Sequence, residues 1–483
     1  MEAPLKHANF NLNIGGIVGF LGGEEAISAM ESMHFYRYRK WLGWYNSPGS
    51  YTIAKHYGRL ARSRIWDGIY PGPNDEPAKL LGMDGEQGPP YRGIISGTTL
   101  NDTGHVGHVF AQYCHNLATS EEHSSNSVVD ESTTNERTTK VMNVIIVDFE
   151  EKASNNEGTD LTPLALGDTK SPLRPVAIAL VPISLNIACC ILCGLYREWY
   201  AFGVILYGIL CNGIACYFIG SAEVFLKHPS PSEYSPPGNG ILEYKSDTLI
   251  VCRGSERAIN HVVKGKFIVR YGKEGKDVTY HKIGFSAISL TTQFIGQLFL
   301  IPISDLFGQI MFLSSLAISW IYNAYLSSID KEQLQRRLLM KHLPLKNNQC
   351  TGTKLQLPTR TSAVVFALLC GLPDLQGDPE TNVECAKGIM CHLLPTNTKV
   401  WGRWQAEIAS KIRELSSEMH PSPPRPADGP FRFAEYDDKG LIEMDKKLLK
   451  DLIDDARRGY EFYHKFLNLK QNAPTSGLGD SLA

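Results

Sequence analysis

Charged residues leave four gaps in the middle of this chain, and each gap is long enough to cross a bilayer. Pro175–Tyr196 runs for 22 residues without Asp, Glu, Lys or Arg. Arg197 and Glu198 interrupt, and Trp199–Ala222 adds 24 more. After a long polar stretch Ile283–Ser304 supplies 22, Asp305 interrupts, and Leu306–Ile329 supplies 24 before Asp330. At about 1.5 Å of rise per helical residue, such a run reaches roughly 33 Å, enough for a hydrocarbon core of about 30 Å. Whole-chain averages dilute this signal with polar flanks: the 483 residues are 43% hydrophobic, with a net charge of −2 and a mean hydropathy of −0.17. The expected fold class is therefore a membrane all-α protein with four transmembrane helices in two hairpins, carrying polar α+β and helical cytosolic segments.

The interruptions between paired runs are too short for anything but tight turns, so each pair is an antiparallel hairpin. Tyr196, Trp199, Tyr200, Trp320, Tyr322 and Tyr325 stand near the run ends, where amphipathic rings favour the membrane–water interface. Four crossings put both termini and the 223–282 loop on one side. That side carries Arg174, Arg336, Arg337, Lys341 and ten further Lys and Arg between Lys227 and Lys282, against a single Arg197 in the two tight turns. The positive-inside bias then orients the chain N-in and C-in. The N-terminal segment has a short glycine-rich apolar patch followed by acids and no convincing cleavage site, so the first transmembrane helix is expected to serve as the targeting signal.

Composition divides the chain into six parts: a polar and aromatic region (1–113), a mostly disordered linker with one strand (114–173), hairpin 1 (174–222), a small cytosolic α+β module (223–282), hairpin 2 (283–329) and a helical cytosolic tail (330–483). Residues 117–140 are rich in Ser, Thr, Asn and Glu and have little to bury, whereas 141–149 (VMNVIIVDF) read as a strand. In the middle module, 240–254 alternate like strands, Ser255 caps a short helix, and KFIVRYG and KDVTYHKIG read as two more strands. The apolar stretch 361–372 is too short to span and reads as an interfacial or buried helix. Residues 400–419 and 440–469 carry amphipathic helical stripes. These helices pack on their own domain or bind a cytosolic protein partner.

The four runs contain no ionisable Asp, Glu, Lys, Arg or His, which argues against a proton relay or voltage sensor. They do contain Asn186, Asn212, Gln293, Gln297, Gln309 and Asn323. Such amides either hold helices together through interhelical hydrogen bonds or line a polar path, the former being the plainer reading. Gly203, Gly208, Gly213, Gly296 and Gly308, with Ser315 and Ser319, read as close-packing positions. Four helices enclose little space, so a channel or transporter would need a homo-oligomer.

No catalytic motif stands out, and no enzyme activity and no cofactor are expected. His105, His108, Cys114 and His115, and the group Cys385, Cys391 and His392, lack the paired spacing of a structural zinc site. The 11 cysteines show no disulfide framework, and five of them (Cys189, Cys190, Cys193, Cys211 and Cys216) sit in apolar runs as small hydrophobes. The near-neutral balance excludes a dedicated nucleic-acid binder. The basic and aromatic strip FYRYRKWLGWY (35–45) reads as ordinary folded surface, with contact to anionic lipid or single-stranded nucleic acid as the alternatives.

Four stretches, VCRGSERAINHVVKGKFIVRY (251–271), GFSAISLTTQFIGQLFLIP (284–302), LFGQIMFLSSLAISWIYNAYLSSIDKEQLQ (306–335) and TRTSAVVFALL (359–369), make the region 240–370 resemble a family of uncharacterised multi-spanning membrane proteins of mushroom-forming (basidiomycete) fungi. The resemblance covers roughly a quarter of the chain. It implies location and architecture but no activity, and it transfers no catalytic residue. The functional expectation is an integral multi-pass membrane protein embedded in the lipid bilayer, a non-enzymatic scaffold or interaction protein; the alternative is an oligomeric channel or transporter.

Overall fold

The computed structural model of the chain describes residues 22–32, 38–61, 64–72, 76–122, 141–150, 161–164, 173–229, 237–271, 278–345, 353–372, 379–396, 398–417, 430–433, 438 and 440–472. In chain order its elements are α1 (Gly23–Glu31), α2 (Ser50–Tyr57), α3 (Arg64–Ile69), α4 (Pro77–Leu80), β1 (Tyr91–Gly93), β2 (Thr99–Leu100), α5 (Gly104–Glu122), β3 (Met142–Asp148), β4 (Leu161–Pro163), α6 (Leu173–Leu195), α7 (Trp199–Ile219), β5 (Glu223–Lys227), β6 (Gly240–Tyr244), β7 (Thr248–Arg253), α8 (Glu256–Val263), β8 (Lys266–Arg270), α9 (Val278–Leu300), α10 (Leu306–Ser327), α11 (Lys331–His342), β9 (Thr353–Leu357), α12 (Arg360–Gly371), α13 (Pro379–Leu393), α14 (Lys399–Ser417) and α15 (Glu443–Asn472). Two compact units are assembled from interleaved stretches: Met1–Gly85, Leu161–Lys227 and Lys266–His342 form one, and Glu86–Asp160, His228–Gly265 and Leu343–Ala483 the other.

The first unit is built on α6, α7, α9 and α10, four helices long and apolar enough to cross a membrane over Val176–Leu195, Trp199–Ile219, Tyr280–Leu300 and Leu306–Ser327. The α6–α7 turn closes with Arg197 in the left-handed region (φ 62°) and the Glu198 amide donating to Cys193 O at 2.9 Å. That is a helix stop of the αL kind, satisfying a carbonyl the helix leaves open. α7 packs on α9 and α6 on α10, while the shorter α1 and α2 lie along α10 and α9. The outside of the bundle is apolar: Ile187, Ile191 and Leu195 on α6, Leu206 and Ile214 on α7, and Phe285, Ile295 and Phe299 on α9 are all exposed. Its inside holds, beside an apolar cluster that includes Ile205, Phe312 and Leu316, the polar side chains Asn186, Asn212, Gln293, Gln297, Gln309 and Asn323, all buried. This inversion of the soluble pattern suits an apolar solvent around the helices, where polar groups must find partners inside.

The second unit is a three-layer α/β fold. Its six-stranded sheet has the order β2-β1-β6-β7-β3-β9, antiparallel except for the parallel pair β3–β7. Alternation along the central strands sends Val144, Ile146, Leu249 and Val251 to one face, where they join the core under α12 to α15. The opposite face meets α5, whose Val106, Val109 and Phe110 are buried, and α8 packs on α5 in turn. α12 starts at a capping box formed by Thr359 and Ser362 and is buried from Thr361 through Gly371, a helix apolar all round because it lies between the sheet and α15. Trp404 of α14, fully buried, donates its indole N–H to Leu452 O at 2.9 Å.

Several expectations from sequence change here. The segment 223–282 is not one module: β5 and β8 pair with β4 in a three-stranded sheet of the first unit, whereas β6, β7 and α8 belong to the second. A lone hairpin with two apolar faces has too little to bury against, and strands far away in sequence supply the rest. The region 1–113 likewise divides after Gly85, and the tail after His342. That tail contributes the edge strand β9 as well as helices. Residues 278–282, read as strand, form the first turn of α9. The stretch 361–372 resolves to the buried alternative, and the amphipathic helices α14 and α15 turn their stripes onto their own core. The expected disordered linker does not begin at 114, because the helix α5 runs on to Glu122, and it holds a second strand, β4. The rest of it, residues 123–140, 151–160 and 165–172, and the N-terminal patch to residue 21 lie outside the described residues.

Candidate functional site

The polar side chains of the bundle converge on a piece of chain that is not one of its four helices. Residues 43–49 (Gly-Trp-Tyr-Asn-Ser-Pro-Gly) enter the bundle between a 3-10 turn at Arg39–Trp41 and the start of α2. Asn46, fully buried, is the hub. Its backbone N–H donates to Asn186 Oδ1 on α6 at 3.2 Å. Its side-chain Nδ2 donates to Ser315 Oγ on α10 at 2.9 Å, and its Oδ1 accepts from Gln293 Nε2 on α9 at 3.2 Å. On the fourth helix, α7, a Cβ at Gly208 would overlap Asn46 Oδ1, so glycine there is what lets the amide in. Ser315 and Gly208 each lie nine residues into their helices, roughly 14 Å along the axis, so the hub sits about halfway through the bundle.

The rest of the segment is held in the same manner. Tyr45 donates its hydroxyl to Asn323 Oδ1 at 2.8 Å, and Asn323 Nδ2 donates to Ser47 Oγ at 3.1 Å. Asn212 Nδ2 donates to Gly43 O at 2.7 Å. A Cβ at Gly213 would overlap the Trp44 indole, a close approach that only glycine permits. Gly49 turns the chain back with φ +71°, and an ideal Cβ there would stand 2.7 Å from Gly23 Cα. α2 then runs along α9, with Tyr51 stacked on Phe294 (ring centroids 5.4 Å apart) and, beyond it, Tyr70 Oη 3.0 Å from Thr291 Oγ1. At the other end of α1, Lys331 of α11 binds Ser28 and Glu31. Arg39, buried, donates to Ser32 Oγ and to Ala29 O at the end of α1.

Each amide singled out from sequence can now be placed. Asn186 uses all of its side chain, donating to Pro182 O and to Ser319 Oγ (2.8 and 3.0 Å) and accepting from Asn46; the bond to Ser319 is a direct interhelical contact. Asn212, Gln293 and Asn323 bind the inserted segment instead of another helix. Gln309 donates to Ser304 O at 3.0 Å within its own hairpin. Among the described residues, Asn212 Oδ1, Gln293 Oε1, Gln297 Nε2 and Gln309 Oε1 are buried with no hydrogen-bond partner. Two of the close-packing glycines, Gly208 and Gly213, make room for Asn46 and Trp44, whereas nothing stands within 4 Å of a Cβ at Gly203 or Gly296.

Sequence reasoning missed Asn46. The available signal was a shorter charge-free stretch, Trp41–Ala54, bounded by Lys40 and Lys55. Its 14 residues are too few to span but suit a re-entrant or interfacial segment.

At the tight-turn end of the bundle, the buried Glu198 accepts the Asp305 backbone N–H at 3.3 Å, which ties the two hairpin turns together. Burial first, and then the neighbouring Asp305 charge, raise its carboxyl above the usual range. The two Cys and His groups flagged as metal candidates are not assembled into a site: among the described residues no three His, Cys, Asp or Glu side chains gather as metal ligands. His115 Nδ1 instead lies 3.1 Å from Thr248 Oγ1, and its ring packs on Tyr244. No protein-family model, no curated protein and no solved structure matches the chain.

Proposed function

We propose that the chain is an integral membrane protein that crosses the bilayer four times with both termini cytosolic, and that it works without chemistry of its own, as an anchored scaffold carrying the α/β unit. One observation supports this most: four of the six amides that would line a path through the bundle, Asn186, Asn212, Gln293 and Asn323, are spent on residues 43–47 of the same chain. Irregular backbone at membrane depth is tolerated where protein surrounds it, and here Tyr45, Asn46 and Ser47 are all buried. The inner faces of α14 and α15 are occupied by their own core. A cytosolic partner would therefore meet their outer residues, among them the exposed Ile442 and Met444 beside the start of α15 and Leu469 near its end.

The test is solute and ion flux in liposomes reconstituted with the full chain. The expected result is leakage no faster than in protein-free vesicles.

A second reading, an oligomeric channel or transporter, is favoured by the four unpartnered amide atoms, since buried polar atoms left without partners in a bundle are where waters or a polar substrate bind. A flux that disappears when Gln293, Gln297 and Asn323 are replaced together would establish that reading and overturn the scaffold.

A further inference from the structure

We infer that the first unit binds the headgroup of an anionic phospholipid between Lys40 and Lys282, at the end of the bundle where α7 stops and α9 begins. The inference rests on bilayer insertion as proposed above. Two chains of contacts meet there. The Lys40 ammonium lies 5.8 Å from the Trp41 ring and 5.9 Å from the Tyr217 ring, and those two rings are 4.8 Å apart. The Lys282 ammonium lies 5.8 Å from the ring of Phe218, whose neighbour Tyr217 is 5.5 Å away, centroid to centroid.

The order of side chains along the helices fixes the level of this group. On α7, the exposed Ile214 precedes Tyr217 by one turn. On the antiparallel α9, the exposed Phe285 follows Lys282 by one turn. Moving outward from the apolar band, both helices therefore pass from aliphatic or phenyl surface to an aromatic–cation layer, and then end. This is the sequence of chemistries from acyl chain through interface to headgroup.

Charge supplies the selectivity. Among the described residues no carboxylate pairs with Lys40 or Lys282, whereas Lys266 of the same unit is paired with Glu76 and Asp84. Trp41 is 54% exposed, a costly indole surface in water that an interfacial lipid covers. Two unpaired ammonium groups beside the exposed Trp41 and the half-buried Tyr217 and Phe218 rings suit a phosphate that bears a further negative charge, and they give a zwitterionic headgroup no such advantage.

The experiment reconstitutes the full chain into phosphatidylcholine vesicles doped with spin-labelled phosphatidylserine or spin-labelled phosphatidylcholine and measures the motionally restricted fraction of each label. The expected result is a preference for the serine headgroup of roughly fivefold per lysine, lost in the double variant K40Q/K282Q and kept in K40R/K282R. An undiminished preference in K40Q/K282Q, or none in the unaltered protein, overturns the inference. So does a preference abolished by inorganic phosphate in the buffer, which would assign the site to a soluble anion. A chain that restricts neither label contradicts bilayer insertion itself, whereas one that restricts both equally contradicts the headgroup site alone.

Discussion

In the α/β unit, buried backbone is satisfied by regular means: strands pair along β2-β1-β6-β7-β3-β9, and helices such as α8 and α12 start at the side-chain caps Ser255 and Thr359. In the helix bundle, the buried backbone of residues 43–47 has no ladder to join. It is held by single side chains reaching in from Asn186 and Asn212, with Gln293, Ser315 and Asn323 fixing its side chains. A sheet distributes polar satisfaction over many equivalent bonds, so the loss of one is tolerated. A hub concentrates it, so each amide has a specific job. The α/β unit should therefore be sensitive to lost volume and tolerant of lost polar contacts, and the bundle the reverse.

The largest expected effect is on the volume side. Phe366→Ala removes a fully buried ring from the middle of α12 and should cost about 3–5 kcal/mol, lowering the melting temperature of the α/β unit while protease protection of the four apolar helices stays unchanged. Next comes the polar side. Asn46→Ala strips partners from Gln293 Nε2 and Ser315 Oγ in one step and should cost about 2–4 kcal/mol, exposing the 43–49 segment to hydrogen exchange without altering exchange in β3 or β7. If both substitutions loosen both units, the contrast fails.

A pH effect sharpens the comparison further. Burial, and then the adjacent His228, whose ring centroid is 4.2 Å away, push His261 of α8 down to about 4. The unfolded chain, with an ordinary histidine near 6.5, binds the extra proton first. The α/β unit should therefore lose stability as pH falls from about 6.5 to about 4, by roughly 2 kcal/mol for a partly exposed group. Histidine-to-glutamine replacement at 261 should flatten that slope in denaturant titrations. The smallest effect is expected at the hairpin turns. Glu198 has a raised carboxyl, so the charged form that it takes as pH rises is the less stable one; Glu198→Gln should stabilise the bundle slightly at neutral pH, and the gain should vanish as pH falls through the carboxyl's folded value and native Glu198 takes up its proton. A gain that persists at low pH would remove charge as the cause.

The sequence made some of this legible and hid the rest for physical reasons. The four long helices show because charge is excluded over 22 to 24 residues at a time. β6, β7 and α8 show because alternation and the Ser255 cap are local signals. The division of 223–282 between two sheets was hidden, because β5 and β8 find their third strand at Leu161–Pro163, and pairing at that distance leaves no local pattern. The burial of α12 was open for the same reason: only the sheet and α15 decide whether an apolar dozen is core or interface. Four of the six amides, Asn186, Asn212, Gln293 and Asn323, belong to the hub as polar-interior residues, but their partner was illegible. Asn46-Ser47-Pro48-Gly49 has the composition of a surface turn, and nothing short of the fold says that this turn points inward.

The most direct measurement is hydrogen exchange of the unaltered full chain in sealed vesicles, read by peptide mass spectrometry over residues 43–49. An inserted segment, with the Asn46 N–H held by Asn186 Oδ1 and its side chain on Ser315 of α10, stays protected from exchange like the α10 peptide around Ser315. Exchange of 43–49 at the rate of an open loop would contradict the inserted hub and, with it, the reading of the bundle as closed.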